Sequence, residues 1–200
     1  MKKFVLSLLG LIISFHSIAQ SSSDSIVSVL HSTAAFTDLT MAKEDPSNVK
    51  KLVLKRKKIV EIPQEIFQFT ELEYLDLSSN KITVIPKEIS KLTKLKVLIV
   101  ENNKIKELPE ELFMLTGLLV ISAGNNEIYY MSSKIKNLTK LIQLDLWSNN
   151  ISEFPAEIGE LTELKVLDLR SIAMNADQQM DIRNLLPNTK VLFDESCNCN

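Results

Sequence analysis

A pattern of apolar residues recurs every 23 residues from Val49 onward. Six equivalent residues begin the successive units: Val49, Leu72, Leu95, Leu118, Leu141 and Leu164. Within a unit, positions 1, 4, 6 and 11 are apolar, position 9 is usually Asn, and positions 18 and 21 are apolar again. One unit cannot bury its apolar side chains alone, whereas stacked units bury them against one another. The period therefore predicts a solenoid that forms one domain.

The first half of each unit predicts a β-strand. In the second unit, Leu75 and Leu77 alternate with Tyr74, Asp76 and Ser78, and a period of two is typical of a strand with one buried face. Adjacent parallel strands lie about 4.8 Å apart, so each unit advances by that distance along the sheet.

The sequence of the second half of each unit disfavours a long helix. Proline has no backbone N–H and a fixed φ, so it limits this side to extended chain or short 3₁₀ turns. The prolines are Pro63, Pro86, Pro109 and Pro155, and the fourth unit has Met131-Ser132 instead. This outer side is wider than a strand ladder, which predicts a curved coil with its sheet on the concave face.

Position 9 predicts a ladder of amide side chains. It holds Asn80, Asn103, Asn126 and Asn149. An amide both donates and accepts hydrogen bonds, so it can satisfy backbone groups in a turn that no strand pairing satisfies. We interpret these four residues as structural.

The second unit, LEYLDLSSNKITVIPKEISKLTKL at residues 72–95, resembles the leucine-rich repeat family. The match is to its 23-residue bacterial and Ras-suppressor-like subclass, whose unit looks like LxxLxLxxNxIxxIPxEIxxLTxL, and it extends over residues 36–193. The resemblance implies an α/β solenoid in the form of a horseshoe arc. It would have a parallel concave sheet of about seven strands, a helical N-terminal cap, an irregular or 3₁₀ convex side and one C-terminal convex helix. It also implies protein recognition on the concave face.

Five segments follow from these patterns. They are a signal peptide at 1–19, a polar linker at 20–32, an N-terminal helical cap at 33–48, six leucine-rich repeats at 49–187, and a terminal strand and tail at 188–200. Lys2 and Lys3 precede the apolar run 4–15, which is too short to span a bilayer. Cleavage before Gln20 would give a secreted or periplasmic protein without membrane insertion. An uncleaved anchor fits the short run less well.

Both ends of the coil carry capping signals. Thr37 or Asp38 could begin a short helix that carries Leu39 and Met41. At the other end, Asn175 followed three residues later by Gln178 is typical of a capping box. An apolar stripe then precedes a seventh strand; its residues are Ile182, Leu185 and Leu186.

Composition argues against several classes of function. The two histidines, His16 and His31, precede the repeats, so a Ser-His-Asp or Cys-His site on the repeats is excluded. Glycine-rich phosphate loops and zinc spacings are absent, and we expect no cofactor or metal. Without Lys2 and Lys3 the chain has 21 basic and 25 acidic residues, which argues against nucleic-acid binding. Cys197 and Cys199 lie in the tail and cannot cross-link the repeats.

Asp145 and Asp168 form the one carboxylate pair that suggests catalysis. Both take position 5 on adjacent strands, so their Cβ atoms should lie about 5 Å apart, which would suit a retaining glycosidase or a cation site. However, Asp76 also takes position 5, and Arg170 lies diagonally close enough to offset the repulsion. We therefore expect a protein that is not an enzyme, with a small hydrolase as a remote alternative.

The outward positions of the central strands predict a binding site. Val97, Ile99 and Val120 should face water there, and the small Ser122 and Gly124 should leave a notch. Trp147, the only Trp of the chain, should stand beside this notch with Arg170 on the next strand. The expected ligand-binding residues are Tyr74, Asp76, Val97, Ile99, Glu101, Ser122, Gly124, Asp145, Trp147, Asp168 and Arg170. An aromatic residue, an arginine and an apolar floor are typical of an interface hot spot.

The leading hypothesis is thus a secreted binding module that recognises a protein partner through its concave sheet. The alternative is binding of a cell-envelope polysaccharide or another anionic surface, since residues 50–58 hold six cations. Lysines also protect an exposed edge strand from pairing. In the fourth unit, Tyr129 and Tyr130 indicate either a second contact patch or a local bulge. The sequence assigns neither the partner's identity nor an oligomeric state.

Overall fold

The computed structural model describes residues 33–194. The chain divides into two units, Met1–Ala34 and Ala35–Asn200, and the description below concerns the second. The predicted signal peptide at 1–19, the whole linker at 20–32, and the end of the tail with Cys197 and Cys199 lie outside the described residues. These assignments stay predictions.

Seven strands of three residues form one parallel sheet in the described part of the chain, in the order of the sequence. They are β1 (Lys51–Val53), β2 (Tyr74–Asp76), β3 (Val97–Ile99), β4 (Val120–Ser122), β5 (Gln143–Asp145), β6 (Val166–Asp168) and β7 (Lys190–Leu192). Each residue pairs with its equivalent in the next unit, as Tyr74 does with Val97. The predicted parallel sheet and solenoid class are confirmed.

Short 3₁₀ helices form the convex side. They span Gln64–Gln68, Lys87–Lys91, Glu110–Met114, Ser133–Asn137 and Ala156–Glu160. A proline stands immediately before four of them, at the N-cap, where its missing N–H costs nothing. In the fourth unit Ser132 takes this place, and its side chain accepts a hydrogen bond from the Lys134 N–H. The unit therefore keeps its turn without proline.

The fourth unit also shows no bulge in its outer side. Tyr130 forms a parallel bridge with Glu107, and the 3₁₀ helix follows at the usual place. Tyr129 and Tyr130 are about half exposed, at 55% and 54%. Of the two interpretations of this unit, the structure thus favours an exposed aromatic patch, formed by Tyr129 and Tyr130, which we call the lateral patch.

The apolar positions of all units merge into one continuous core. Leu75, Leu98, Leu144 and their equivalents in the first six strands are 0–1% exposed. Phe69 and Phe113, on the convex side, are its largest fully buried side chains. Stacking of units therefore supplies the burial that a single unit lacks.

A short helix covers the first unit. Helix α1 (Leu39–Glu44) begins after Asp38, whose side chain accepts a hydrogen bond from the Thr40 N–H at 2.6 Å. Phe36 extends the sheet by pairing with Leu52. The helix carries Leu39 and Met41 as expected, with Ala42 buried and Met41 57% exposed. Ala42 lies three residues after Leu39 and so shares its face of the helix.

The other end is covered by helix α2 (Ala176–Leu185). Its capping box is present: the Gln178 N–H donates to Asn175 Oδ1, and the Asn175 N–H donates to Gln178 Oε1, both at 2.9 Å. Ile182 and Leu186 are buried and Leu185 is partly buried. Gly159 allows this approach, because a Cβ there would lie 3.0 Å from the Leu185 carbonyl oxygen.

The four position-9 asparagines bond the turns of neighbouring units. Asn103 Nδ2 donates to the Val100 carbonyl in its own unit and to the Leu77 carbonyl in the preceding unit, at 2.9 and 3.1 Å. Its Oδ1 accepts from the Ile82 N–H at 3.0 Å. Equivalent bonds occur at Asn80, Asn126 and Asn149.

The residue before each asparagine has a left-handed backbone conformation, a feature that the sequence analysis did not predict. Position 8 has a φ of 52–59° in all six units, and none of these residues is glycine. They are Arg56, Ser79, Asn102, Asn125, Ser148 and Ser171. Asn tolerates this region better than most residues do, so the conformation is least costly at Asn102 and Asn125.

Candidate functional site

Position 7, two residues after the end of each strand, holds four of the predicted site residues, and the first three of them, Glu101, Gly124 and Trp147, lie on successive units. The Asn102 N–H donates to the Gly124 carbonyl at 3.0 Å, and the Asn125 N–H donates to the Trp147 carbonyl at 2.7 Å. These bonds fix Glu101, Gly124 and Trp147 on successive units of the concave face.

The Trp147 indole lies over the Gly124 backbone. A Cβ added to Gly124 would be 2.0 Å from Nε1 of Trp147 and 2.4 Å from its Cδ1. Gly124 has no positive φ, so glycine is required here for space and not for backbone conformation. The notch predicted from Ser122 and Gly124 is therefore occupied by the indole ring, which the sequence analysis had placed beside it.

The expectation of an open apolar floor is wrong. Val97 and Ile99 are each only 7% exposed, and Val120 is half-buried. Val97 lies between Tyr74 and Val120 in the register of the sheet. On a concave sheet, the side chains of adjacent strands converge, so short side chains are shielded by longer neighbours. Accessible side chains also occur at the position-7 edge of this face, where Glu101 and Trp147 are half-buried and Arg170 is exposed.

Glu101, Ser122 and Asp145 are connected by hydrogen bonds across three successive units. The Ser122 hydroxyl is hydrogen-bonded to Glu101 Oε1 and lies 3.2 Å from Asp145 Oδ2. Gln143 Nε2 donates to the same Asp145 oxygen at 2.7 Å. A hydroxyl carries a single proton, so Ser122 can donate to only one of the two carboxylates at a time.

Asp145 is a buried carboxyl with one oxygen left without a partner. It is 5% exposed, and its Oδ1 has no hydrogen-bond partner among the described residues. Burial raises the pKa of Asp145 to about 6, and the negative charges of Asp168 and Glu101 act in the same direction. The hydrogen bonds from Gln143 and Ser122 oppose this rise. Asp145 therefore titrates near neutral pH.

Arg170 pairs with Asp168 of its own unit, two residues earlier in the chain. The Arg170 Nη2 atom lies 2.5 Å from Asp168 Oδ2, and Nε lies 2.9 Å from Oδ1. The Arg170 N–H also donates to Asp168 Oδ1 at 3.1 Å. This bond set holds the pKa of Arg170 above its usual value. Both oxygens of Asp168 are thus bonded, and the expected compensation by Arg170 acts directly on Asp168.

The aspartate pair gives no support to the hydrolase alternative. Asp145 and Asp168 are only 5% and 1% exposed, and Asp168 is bonded to Arg170, so little carboxylate surface is open to a glycosidic bond. Within residues 33–194, no group of three or more His, Cys, Asp or Glu side chains could hold a metal ion.

The first strands of the concave face carry Tyr74 and Asp76. Lys51 Nζ lies over the Tyr74 ring, 4.9 Å from its centroid. Burial, and after it the charges of Asp76 and Glu101, raises the pKa of the Tyr74 hydroxyl. Asp76 accepts a hydrogen bond from the Ser78 N–H at 2.8 Å and is buried. A negative field therefore extends from β2 to β5.

Sequence reasoning missed Gln143 and a lateral groove. Gln143 was omitted from the site although the period of two places it on the concave face next to Asp145. The groove, of about 430 Å³, lies between the first two units and is lined by Val60, Glu61, Ile62, Pro63, Gln64, Thr83, Val84 and Pro86. Val60 and Val84 are more than half exposed, and both follow the position-9 turn, where the sequence pattern predicts only loops.

No helix of the described residues has the length and apolar character needed to cross a bilayer.

Solved structures of other proteins share this architecture. A leucine-rich repeat protein of Leptospira interrogans is 34% identical with a TM-score of 0.66, and the match covers 73% of this chain and 36% of that one. Internalin C2 of Listeria monocytogenes is 28% identical with a TM-score of 0.63, covering 79% and 66%.

A plant receptor is similar as well. The ectodomain of the membrane receptor kinase GASSHO1/SCHENGEN3 of Arabidopsis thaliana was solved in complex with CASPARIAN STRIP INTEGRITY FACTOR 2. It is 26% identical with a TM-score of 0.66, and the match covers 81% of this chain and 20% of the ectodomain. The chain thus spans only a part of the proteins it resembles.

The search of curated proteins gives no significant match. The family description "Leucine-rich repeat region" matches residues 63–192, well over half of the chain. With its seven parallel strands and its 23-residue units, the chain belongs to the leucine-rich repeat family.

Proposed function

We propose that this protein is a secreted or periplasmic binding module that recognises another protein through its concave face. The observation that carries the proposal is the placement of Trp147. The only Trp of the chain is held on the concave sheet because Gly124 leaves space for its ring. Tryptophan and arginine are the residues most enriched in interface hot spots, and Arg170 follows on the next unit with its side chain half exposed.

Family membership supports the same proposal. The leucine-rich repeat fold is commonly used for protein binding, and the similar plant ectodomain was solved in complex with CASPARIAN STRIP INTEGRITY FACTOR 2. Export rests on the predicted signal peptide at residues 1–19.

Photo-cross-linking tests which face contacts the partner. A benzophenone amino acid would replace Tyr74 on the concave face, Tyr129 on the lateral patch, or Met114 on the convex side, where 67% of the residue is exposed. Each variant would be incubated with envelope and secreted fractions of the native organism and irradiated. We expect a cross-linked protein at Tyr74 that is absent at Met114. Cross-linking at Tyr129 alone would contradict the concave assignment.

A second candidate is binding to an anionic envelope polysaccharide. Four consecutive basic residues after β1 are exposed: Lys55, Arg56, Lys57 and Lys58. Such a cluster attracts anions, and the attraction weakens as salt is added. Retention on an immobilised anionic polysaccharide that disappears at high salt, and that Lys55→Ala with Lys58→Ala reduces, would favour this candidate over the first.

A further inference from the structure

The carboxylates of the concave face are unevenly neutralised. The ion pairs of the described residues are Lys43–Glu65, Lys94–Glu71, Lys96–Glu73 and Arg170–Asp168. Asp168 is thus the one concave carboxylate with an ion-pair partner in this part of the chain. Asp76 is stabilised by a backbone N–H. Glu101 and Asp145 have only the Ser122 hydroxyl and the Gln143 amide.

Asp145 has no direct ion-pair partner among the described residues, since the nearby Arg170 is bonded to Asp168. Oδ1 of Asp145 is buried and has no partner among residues 33–194, and a buried carboxylate oxygen without a partner is costly. Ser122 links this carboxyl to Glu101, which is half-buried and lies at the accessible edge. A cation bound to Glu101 would therefore also offset the negative charge of Asp145, which lies behind Glu101.

The surroundings fit an organic cation better than a metal ion. No cluster of three metal-binding side chains occurs in the described residues. The ring of Trp147, by contrast, lies over Gly124, and Gly124 belongs to the unit next to that of Glu101. An indole face attracts a guanidinium group and packs against the apolar stem of an arginine, and a carboxylate binds the guanidinium through two N–H groups.

We infer that the concave face receives a basic side chain of its partner, arginine in preference to lysine, with the cationic group on Glu101 and the apolar stem against Trp147. This inference rests on the proposed function, since it names the chemistry that the same face recognises. Arg170 cannot take this role because its guanidinium is already bonded to Asp168.

Binding of the basic group is coupled to release of a proton. The charged and polar groups that face Asp145 are Glu101, Ser122 and Gln143, with Asp168 and its partner Arg170 on the next strand. Bound cation would stabilise the ionised form of Asp145 and so lower its pKa, which is about 6 in the free protein. The bound state then holds fewer protons, and affinity should rise as the pH increases from 5 to 7.5.

The single tryptophan provides the readout. The purified protein would be titrated with acetyl-Arg-Arg-Arg-amide at low and constant ionic strength while Trp147 fluorescence is recorded. The corresponding tri-citrulline peptide has nearly the same shape and no charge. We expect a saturable change with tri-arginine and none with tri-citrulline.

Variants locate the site. Glu101→Gln should weaken tri-arginine binding at least fivefold, whereas Glu160→Gln, an equal charge change on the exposed convex side, should leave it unchanged. Asp145→Asn should remove the increase in affinity between pH 5 and 7.5. An equal response to both peptides, no saturable response, or unchanged affinity in Glu101→Gln would overturn the inference. The first two outcomes need no variant, so they are decisive even if a substitution impairs folding.

Failure of the proposed function gives a different result. If tri-arginine does not bind while cross-linking at Tyr74 still captures a protein, the inference of a basic partner side chain is wrong, but the concave face remains the proposed binding face. If cross-linking at Tyr74 captures nothing and a different face does, the proposed function itself is wrong.

Discussion

The indole of Trp147 occupies the space that a side chain at Gly124 would need. A Cβ at Gly124 would come within 2.0 Å of the indole Nε1, far inside van der Waals contact. Glycine at this position of the fourth unit and tryptophan at the same position of the fifth are therefore a matched pair. Neither residue alone explains why the ring lies flat on the sheet.

Gly124→Ala should displace the ring. The added methyl group forces the indole away from the backbone, so we expect a red shift of its fluorescence emission and a loss of about 1–3 kcal/mol in the free energy of unfolding. Gly117→Ala is the matched control, since the nearest atom to its Cβ would be the Leu95 carbonyl oxygen at 3.8 Å. Denaturant titration of both variants measures the difference. Equal stability and unchanged emission in Gly124→Ala would show that the ring does not need this space.

Asn103→Ala should lower the free energy of unfolding by about 1–3 kcal/mol, because the Leu77 and Val100 carbonyls and the Ile82 N–H lose their partner. Lys57 is the equivalent residue of the first unit, and its side chain is exposed. Lys57→Ala should therefore have little effect, as its backbone N–H still donates to Asn80. Equal losses at both positions would contradict a stabilising asparagine ladder.

Ionisation of Asp145 should lower the free energy of unfolding as the pH rises. Its pKa in the folded protein, about 6, is above the usual value of 3.8, so the folded state binds the proton more tightly than the unfolded state does. The stabilisation is complete below the unfolded pKa and is lost as the pH rises through about 6, which amounts to at most about 3 kcal/mol.

Asp145→Asn tests this dependence, since the amide keeps the shape without the charge. We expect its free energy of unfolding, relative to wild type, to be higher at pH 8 than at pH 4. Asp181→Asn, at an exposed position of α2, is the control and should keep the wild-type pH profile. A profile of Asp145→Asn that parallels wild type would mean that another group carries the dependence.

Neither cysteine lies within the repeats, so unfolding should not depend on reductant. Cys197 and Cys199 are the only cysteines of the chain, and both come after β7. Thermal unfolding with and without a reductant should therefore give the same midpoint. A clear drop on reduction would mean that the tail cysteines tie down the structure.

The repeating parts of the fold were predictable from the sequence because the same 23-residue pattern recurs in six units, and every unit buries its apolar residues in the same way. The positions of Leu75, Asn103 and Pro86 follow directly from that period. Asp38 and Asn175 were predictable for a different reason, since capping depends on neighbours in sequence. The left-handed conformation at Ser79 and Ser148 was not, because serine gives no signal for a positive φ.

The site was less predictable because it depends on contacts between side chains of different units. The register placed Trp147 near Gly124, but the direction of the indole depends on χ angles that no period reveals. Likewise, the sequence allows Arg170 to bond either Asp145 or Asp168. It bonds Asp168, the aspartate of its own unit, and this depends on side-chain geometry that the sequence pattern does not reveal. The burial of Val97 and Ile99 follows from the curvature of the sheet, which a flat register does not show.

Trp147→Ala should weaken binding of the captured partner by about 2 kcal/mol or more, in line with truncation of a hot-spot aromatic residue. The ring is half-buried over Gly124, so some stability is lost as well, and the affinity must be measured on protein shown to be folded. Trp147→Phe helps to separate the two effects, since it keeps an aromatic ring over Gly124 and removes the indole N–H.

Lys134→Ala is the control on the convex side, where the residue is exposed, and it should leave the affinity unchanged. Titration calorimetry with the purified partner would measure each variant. Wild-type affinity in Trp147→Ala, together with loss of binding in Tyr129→Ala and Tyr130→Ala, would place the interface on the lateral patch, because those two tyrosines are the exposed aromatic residues there.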